Sequence, residues 1–349
     1  MKTEGAVLVE TGHPLEIANL TTPSLGHGQV LVEIAYSGIC HTQVQEIRGQ
    51  RGPDRYLPHC LGHEGSGTVL EIAEGVSKVK PGQNVALSWV KSAGIDAGGA
   101  QYDWNGRTVN SGPVVTFSRH AVISENRLIQ IPDLVPLRDA VLLGCAAPTA
   151  FGAIINTARP QKGQSLAVFG CGGIGLCAIA AAVAAGCNPV IAVDLLDGKL
   201  EMAKSMGATH IVNANDPDFP ALIADICPGG LDFAVESSGQ TEVMAAALAA
   251  VRTFGGTAVI VGNPKFGEQL VLDPWQIIMG KRLVGAWSGD DDFDRDLPAF
   301  VEMILSENFD ADVLLSKPYA LTSINDAVDD LEAGRVGRPL IDMSLQEGM

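Results

Sequence analysis

The run from Leu166 to Asp194 constrains this chain more than any other. Leu166-Ala-Val-Phe169 is a short apolar stretch, Gly170-Cys171-Gly172-Gly173-Ile174-Gly175 follows it, and Leu176 to Ala185 is rich in alanine. A second apolar stretch, Val190 to Val193, then ends in Asp194. No charged side chain lies between Leu166 and Val193, so a hydropathy window flags the run as membrane-spanning. The glycines and Asn188-Pro189 interrupt it, and a buried strand, turn, helix and strand explain it better. A glycine turn between a strand and a helix brings backbone close to a pyrophosphate, with the helix N-terminus facing the anion. Gly170, Gly172, Ile174 and Gly175 are therefore candidate cofactor contacts. Asp194, about 20 residues beyond the last glycine, is the acid expected on the adenosine ribose. Leu195 follows it where an Arg would welcome a 2′-phosphate, so NAD is expected over NADP.

Strand-like and helix-like runs keep alternating after this point. His210 to Val212, Leu231 to Glu236, Thr257 to Gly262 and Leu283 to Trp287 read as strands, with helices to Ile226 and from Thr241 to Val251. Six strands with intervening helices predict a doubly wound parallel sheet, a Rossmann domain over 149–287. The N-terminal part reads differently. Short strands fill residues 1–36, Gly38 to Arg48 turns into a helix with Cys40 exposed just before it, and Gly62-His63-Glu64 opens an alternating run to Val76. Val114–Phe117 and His120–Ile123 read as strands, and a helix-like stretch reaches Cys145. After about Ser288 the chain is expected to re-enter this first domain. Leu297, Phe300, Val301, Ile304 and Leu305 have amphipathic helical spacing, and Ser323 caps a further helix that turns Val328 and Leu331 inward and ends at Gly334.

A length of 349 residues suits two domains, and a net charge of −17 excludes nucleic acid as a partner, because phosphate binding needs clustered Lys and Arg. The start, Met1 to Gly5, passes directly into a strand-like run without a leader pattern. Seven cysteines, an odd number, make no disulfide framework and point to a reducing cytoplasm. Cys60, Cys171, Cys177, Cys187 and Cys227 read as inert buried thiols.

The other two cysteines belong to motifs. Gly62-His63-Glu64-x-x-Gly67, with Ala73 and Val76 beyond it, resembles the zinc signature of the medium-chain alcohol dehydrogenases. Gly38-Ile39-Cys40-His41-Thr42 and Leu143-Gly144-Cys145-Ala146-Ala147-Pro148-Thr149 resemble two further segments of that family, and the resemblance covers nearly the whole chain. It implies a GroES-like, mostly β catalytic domain over 1–148, completed by 288–349, beside the Rossmann domain. It also implies a catalytic zinc held by Cys40, His63 and Cys145, the ligand set that alcohol dehydrogenases use while keeping a fourth position for water or substrate.

The resemblance assigns further roles. Thr42 passes the substrate proton outward, and Glu64 lies behind the metal, where a buried Arg would also satisfy it. Trp89 narrows the substrate channel. His41 and Arg338 contact the pyrophosphate, Thr149 and Val261 the nicotinamide, Asn263 the substrate, and Lys199 the ribose. Three departures stand out. Gln43 replaces an Asp that supports the ligand histidine, and Gln45 replaces a His base, leaving water to end the proton relay. Between Gly62 and Gly144 the chain has no Cys, so no structural zinc is expected; Tyr102 and Trp104 fill that lobe instead. The implied activity is hydride transfer between an alcohol, or its aldehyde or ketone, and NAD, in a homodimer or homotetramer. Two alternatives stay open: a polyol, cyclitol or sugar-derivative dehydrogenase, and a nucleotide-binding protein with little catalysis.

Overall fold

A computed structural model describes residues 1–290, 292–307, 309–315 and 317–346. It divides into two units, one of Met1–Cys145, Asp292–Leu297 and Leu315–Met349, the other of Ala146–Asp291 and Pro298–Leu314.

The first unit is mostly β. Lys2–Leu8, Glu16–Thr21, Gln101–Trp104, Arg107–Asn110 and His59–Cys60 close a small barrel. A second sheet orders Leu128–Gln130, Asn84–Ser88, Glu64–Ile72, Gln29–Gly38, Leu340–Asp342 and Pro318–Tyr319, with His120–Ser124 also paired to Gln29–Gly38. Alternating Val, Leu and Ile on these strands bury one core that includes Val30, Val32, Ile34, Val69, Val85 and Leu87. The helix Ile324–Glu332 adds Ile324, Ala327, Val328 and Leu331, which its 3.6-residue period places on one face. Ser323 occupies its N-cap position but makes no side-chain cap bond.

The cysteine-free lobe is held by hydrogen bonds and by the hairpin Gln101–Trp104 and Arg107–Asn110. Tyr102 is buried there, its hydroxyl accepting the Val122 N–H at 2.8 Å, and Trp104 packs against the core. Fully buried Glu125 accepts the N–H groups of Ser77 at 2.6 Å, Lys78 at 2.7 Å and Ile95 at 2.7 Å. One carboxylate thus ties three stretches of chain.

The second unit is a six-stranded parallel sheet in the order His210–Asn213, Val190–Asp194, Leu166–Phe169, Phe233–Glu236, Thr257–Ile260, Arg282–Gly285. This is the doubly wound order 3-2-1-4-5-6. Among the described residues no single helix is long and apolar enough to cross a membrane.

Four sequence expectations need correction. Val114–Phe117 is not a ladder strand: it follows Pro113, and the N–H groups of Thr116 and Phe117 both go to the Leu61 carbonyl. Cys40 is buried at 6% exposure, because the helix it precedes, His41–Ile47, packs inward through Gln43, Val44, Gln45 and Ile47. The return to the first unit is not a clean crossing at 288. Residues 298–314 group with the second unit, where Phe300 and Phe309 each pack 5.9 Å from the Phe151 ring. The earlier boundary falls after Cys145 instead of after Pro148, since Ala146–Gly152 is a fully buried helix of the second unit.

Candidate metal centre

Three separate segments of the first unit bring Cys40, His63 and Cys145 together. Cys40 sits at the N-cap of His41–Ile47, and His63 immediately precedes the strand Glu64–Ile72. Cys145 follows the tight turn Val141–Gly144. That turn lies directly on the neighbouring strands. A Cβ on Gly144 would stand 2.4 Å from the Leu87 carbonyl oxygen and 2.6 Å from Glu64 Cα, so only glycine fits. The Ser88 hydroxyl donates to the Gly144 carbonyl at 2.8 Å and fixes the approach.

The ligand atoms of the three residues lie within 4.8 Å of one another. Tetrahedral zinc with two thiolates places their sulfurs about 3.8 Å apart, given Zn–S distances of ~2.3 Å. The donor set also suits the ion, with two soft sulfurs and one imidazole. His63 Nε2 is buried without a hydrogen-bond partner among the described residues. A metal would satisfy that atom, so the site fits zinc.

The surroundings act oppositely on the two thiols. A hydrogen bond from Cys145 holds the Cys40 thiol well below the ordinary thiol range against the opposing effect of burial, helped by the charges of Arg338 and His63. The same contact, with burial, pushes Cys145 up. Burial works against charge on His63, yet its contact with Cys40 raises it overall. Gln43 is 2% exposed and touches two ligand residues: its Oε1 accepts the Cys40 N–H at 3.0 Å, and its amide nitrogen meets His63 Nδ1.

Behind the ligands, fully buried Glu64 pairs with Arg338 at 3.2 Å. Arg338, read from the sequence as a pyrophosphate contact, is 3% exposed and also donates to the Ile39 carbonyl at 3.3 Å. Its place is beneath the ligands, because the strand Leu340–Asp342 runs beside Gln29–Gly38. Thr42 Oγ1 lies 3.8 Å from Cys40 Sγ, and the rings of His63 and Trp89 meet edge-on with centroids 6.4 Å apart. His41 is exposed, and Gln45 is buried.

The other residues expected at the nucleotide lie in the second unit. Gly170 has a left-handed φ of +93°, and Gly172 is the N-cap of Gly173–Ala184. A Cβ on Gly175 would stand 1.8 Å from the Gly170 carbonyl oxygen, so this helix can meet the strand only through glycine. Ile174 is half-buried in the helix's first turn. Asp194 Oδ2 accepts the Cys171 N–H at 2.7 Å and Oδ1 the Leu196 N–H at 3.0 Å, aiming the carboxylate at the glycine loop. Lys199 is half-buried on the next helix, Asp197–Ser205. Val261 is half-buried and Asn263 exposed beyond the strand Thr257–Ile260. Thr149 is buried, and its hydroxyl has no partner among the described residues.

Sequence reasoning missed Glu236. Fully buried, it accepts Ser238 N–H at 2.7 Å, Ser238 Oγ at 2.6 Å and Gly239 N–H at 2.8 Å, fixing the loop after its strand. A lone Glu ending an apolar strand gives no signal of those partners.

The chain matches the sequence profiles of two families, "Alcohol dehydrogenase GroES-like domain" over residues 26–133 and "Zinc-binding dehydrogenase" over residues 173–306. It is 32% identical to the S-(hydroxymethyl)glutathione dehydrogenase of Escherichia coli O6:H1 over 98% of this chain and 100% of that one. Among solved structures it resembles benzyl alcohol dehydrogenase from Acinetobacter calcoaceticus, with a TM-score of 0.88, 28% identity, and coverage of 99% and 100% of the two chains. It also resembles 2R,3R-butanediol dehydrogenase from Bacillus subtilis, with a TM-score of 0.79, 25% identity, and coverage of 97% and 99%.

Proposed function

The chain belongs to the zinc-dependent medium-chain alcohol dehydrogenases, a family of oxidoreductases, and from that premise we propose that it interconverts a small alcohol and its aldehyde or ketone with NAD and one zinc per chain. The observation that carries this reading is the meeting of Cys40, His63 and Cys145 within 4.8 Å, with a buried imidazole nitrogen that has no hydrogen-bond partner among the described residues. These three residues would hold the zinc, which when bound supplies Lewis acidity and eases loss of a hydroxyl proton.

The chain's own groups do the rest. Thr42 Oγ1, beside the ligands, accepts a hydrogen bond from the substrate hydroxyl and takes its proton outward. The Gln45 amide cannot act as a base, so the outer end of that path is water. Trp89 stands against His63 and leaves room for slim alcohols. Gln43 orients the His63 ring, and the Glu64–Arg338 pair sets the charge behind the ligands. NAD would rest on the Gly170 to Gly175 loop, with Asp194 taking both adenosine-ribose hydroxyls. Leu195 offers no charge to a 2′-phosphate.

Because one solved relative is a butanediol dehydrogenase, polyols, cyclitols and sugar derivatives belong in the substrate panel. The free state of all seven cysteines supports a reducing cytoplasm. The exposed edge strand Arg282–Gly285 supports a homodimer or a pair of dimers. The test is NADH formation, followed by absorbance over that panel. Cys40→Ser should remove zinc and turnover while NAD still binds. Turnover that persists without zinc would overturn the proposal.

A further inference from the structure

The loop after the helix His41–Ile47 carries two exposed arginines, Arg51 and Arg55. The first unit holds a cavity of about 550 Å³. His63 and Gln43 contribute to its wall, so it abuts the metal centre, and Arg51, Arg55 and Tyr56 contribute as well. That volume lies within the range of small-molecule sites, roughly 300–1,000 Å³.

Most arginines near this region are committed to acids. Arg48 pairs with Asp329 at 2.6 Å and Glu332 at 2.8 Å, and Arg338 pairs with Glu64. Arg335 is likewise paired, with Asp330 at 2.6 Å. Arg51 and Arg55 make no ion pair among the described residues. Arg55 instead donates to the Tyr56 hydroxyl at 2.9 Å and lies 5.1 Å from that ring's centroid, which orients its guanidinium. The loop's one acid, Asp54, is already engaged by His59 at 2.8 Å and by the Tyr56 N–H at 2.8 Å. The other acid on the wall, Glu46, is half-buried and makes no ion pair with either arginine among the described residues. Two guanidinium groups without an ion-pair partner among the described residues thus stand on one cavity wall, in a chain of net charge −17.

We infer that this cavity takes the tail of an alcohol that bears a carboxylate or a phosphate, with Arg51 and Arg55 gripping the anion. Guanidinium groups match both anions through paired, charge-assisted hydrogen bonds. The inference rests on the alcohol dehydrogenase reading above and names its substrate class. The hydroxyl end then lies toward His63 and the anionic end toward the loop.

The experiment compares three alcohols of matched chain length on the zinc-loaded enzyme with NAD: a plain primary alcohol, its ω-hydroxycarboxylate and its hydroxyalkyl phosphate. The wild type should favour at least one anionic alcohol in kcat/KM by on the order of tenfold or more, through KM and not kcat, and added salt should shrink the preference. In Arg51→Gln/Arg55→Gln the ratio of anionic to plain alcohol should fall toward one. Preference for one anion over the other identifies which group the site takes. Equal use of all three alcohols by the wild type, or an unchanged ratio in the double variant, overturns the inference. Calorimetric titration of the anionic alcohols decides the subsite even without turnover: the wild type should bind one of them and the double variant should not. Absence of turnover with every alcohol would instead overturn the catalytic reading.

Discussion

Gln43 reaches two ligand residues with a single amide, and the consequence is chemical. The N–H of Cys40 and the N–H of a zinc-ligating His63 both require an acceptor, and an amide has one acceptor oxygen where a carboxylate has two. Gln43→Asp should therefore bind zinc on the order of 10- to 100-fold more tightly, read as slower zinc loss to a chelator. Equal or faster loss would show that Gln43 does not limit the ligand's orientation. The Arg338–Glu64 pair is as specific. Arg338→Ala would take the guanidinium away from a fully buried carboxylate and should cost about 3–5 kcal/mol in urea unfolding; a loss below about 1 kcal/mol would place that charge in contact with water. The meeting of Cys40, His63 and Cys145 and the place of Asp194 at the end of its strand were legible because short motifs carry them. The pairing of Arg338 with Glu64 was not legible because the two lie far apart in sequence, and only the pairing of Leu340–Asp342 with Gln29–Gly38 joins them.

Elements follow the sequence where periodicity governs and depart from it where hydrogen bonds do. The six parallel strands were visible as apolar runs. Val114–Phe117 has the same composition, but its donors go to the Leu61 carbonyl. Glu125 shows the same limit: its role lies in three backbone donors that no motif announces. Those bonds outweigh burial and hold its pKa below the usual carboxylate value. A carboxylate depressed in the folded state stabilises above its unfolded pKa, and that stability is lost as pH falls through the folded value. Unfolding free energy should therefore drop as pH falls below about 4, and Glu125→Gln should flatten part of that slope. The same variant should cost about 2–3 kcal/mol at neutral pH. An acid limb identical to the wild type's would remove Glu125 from this role.

At the scale of the molecule, the sequence predicted two domains and a chain that returns to the first. It did not show that 298–314 packs with the second unit, because an amphipathic helix names its apolar face and not the surface it meets. Apolar exposure is concentrated in the segments around the edge strand Arg282–Gly285. Phe254 is 82% exposed, Trp275 59%, Ile278 66% and Trp287 71%. Light scattering should give the mass of two or four chains, and Trp275→Asp should weaken association by about 2 kcal/mol or more. A monomer at micromolar concentration would contradict that surface's role. The account as a whole depends on the metal that Cys40, His63 and Cys145 share, and the zinc content of the purified chain tests it most directly. Elemental analysis should find one zinc per chain in the wild type and almost none in His63→Ala. A wild type that takes up no zinc when supplied with it, or a variant that retains a full equivalent, would contradict the central claim.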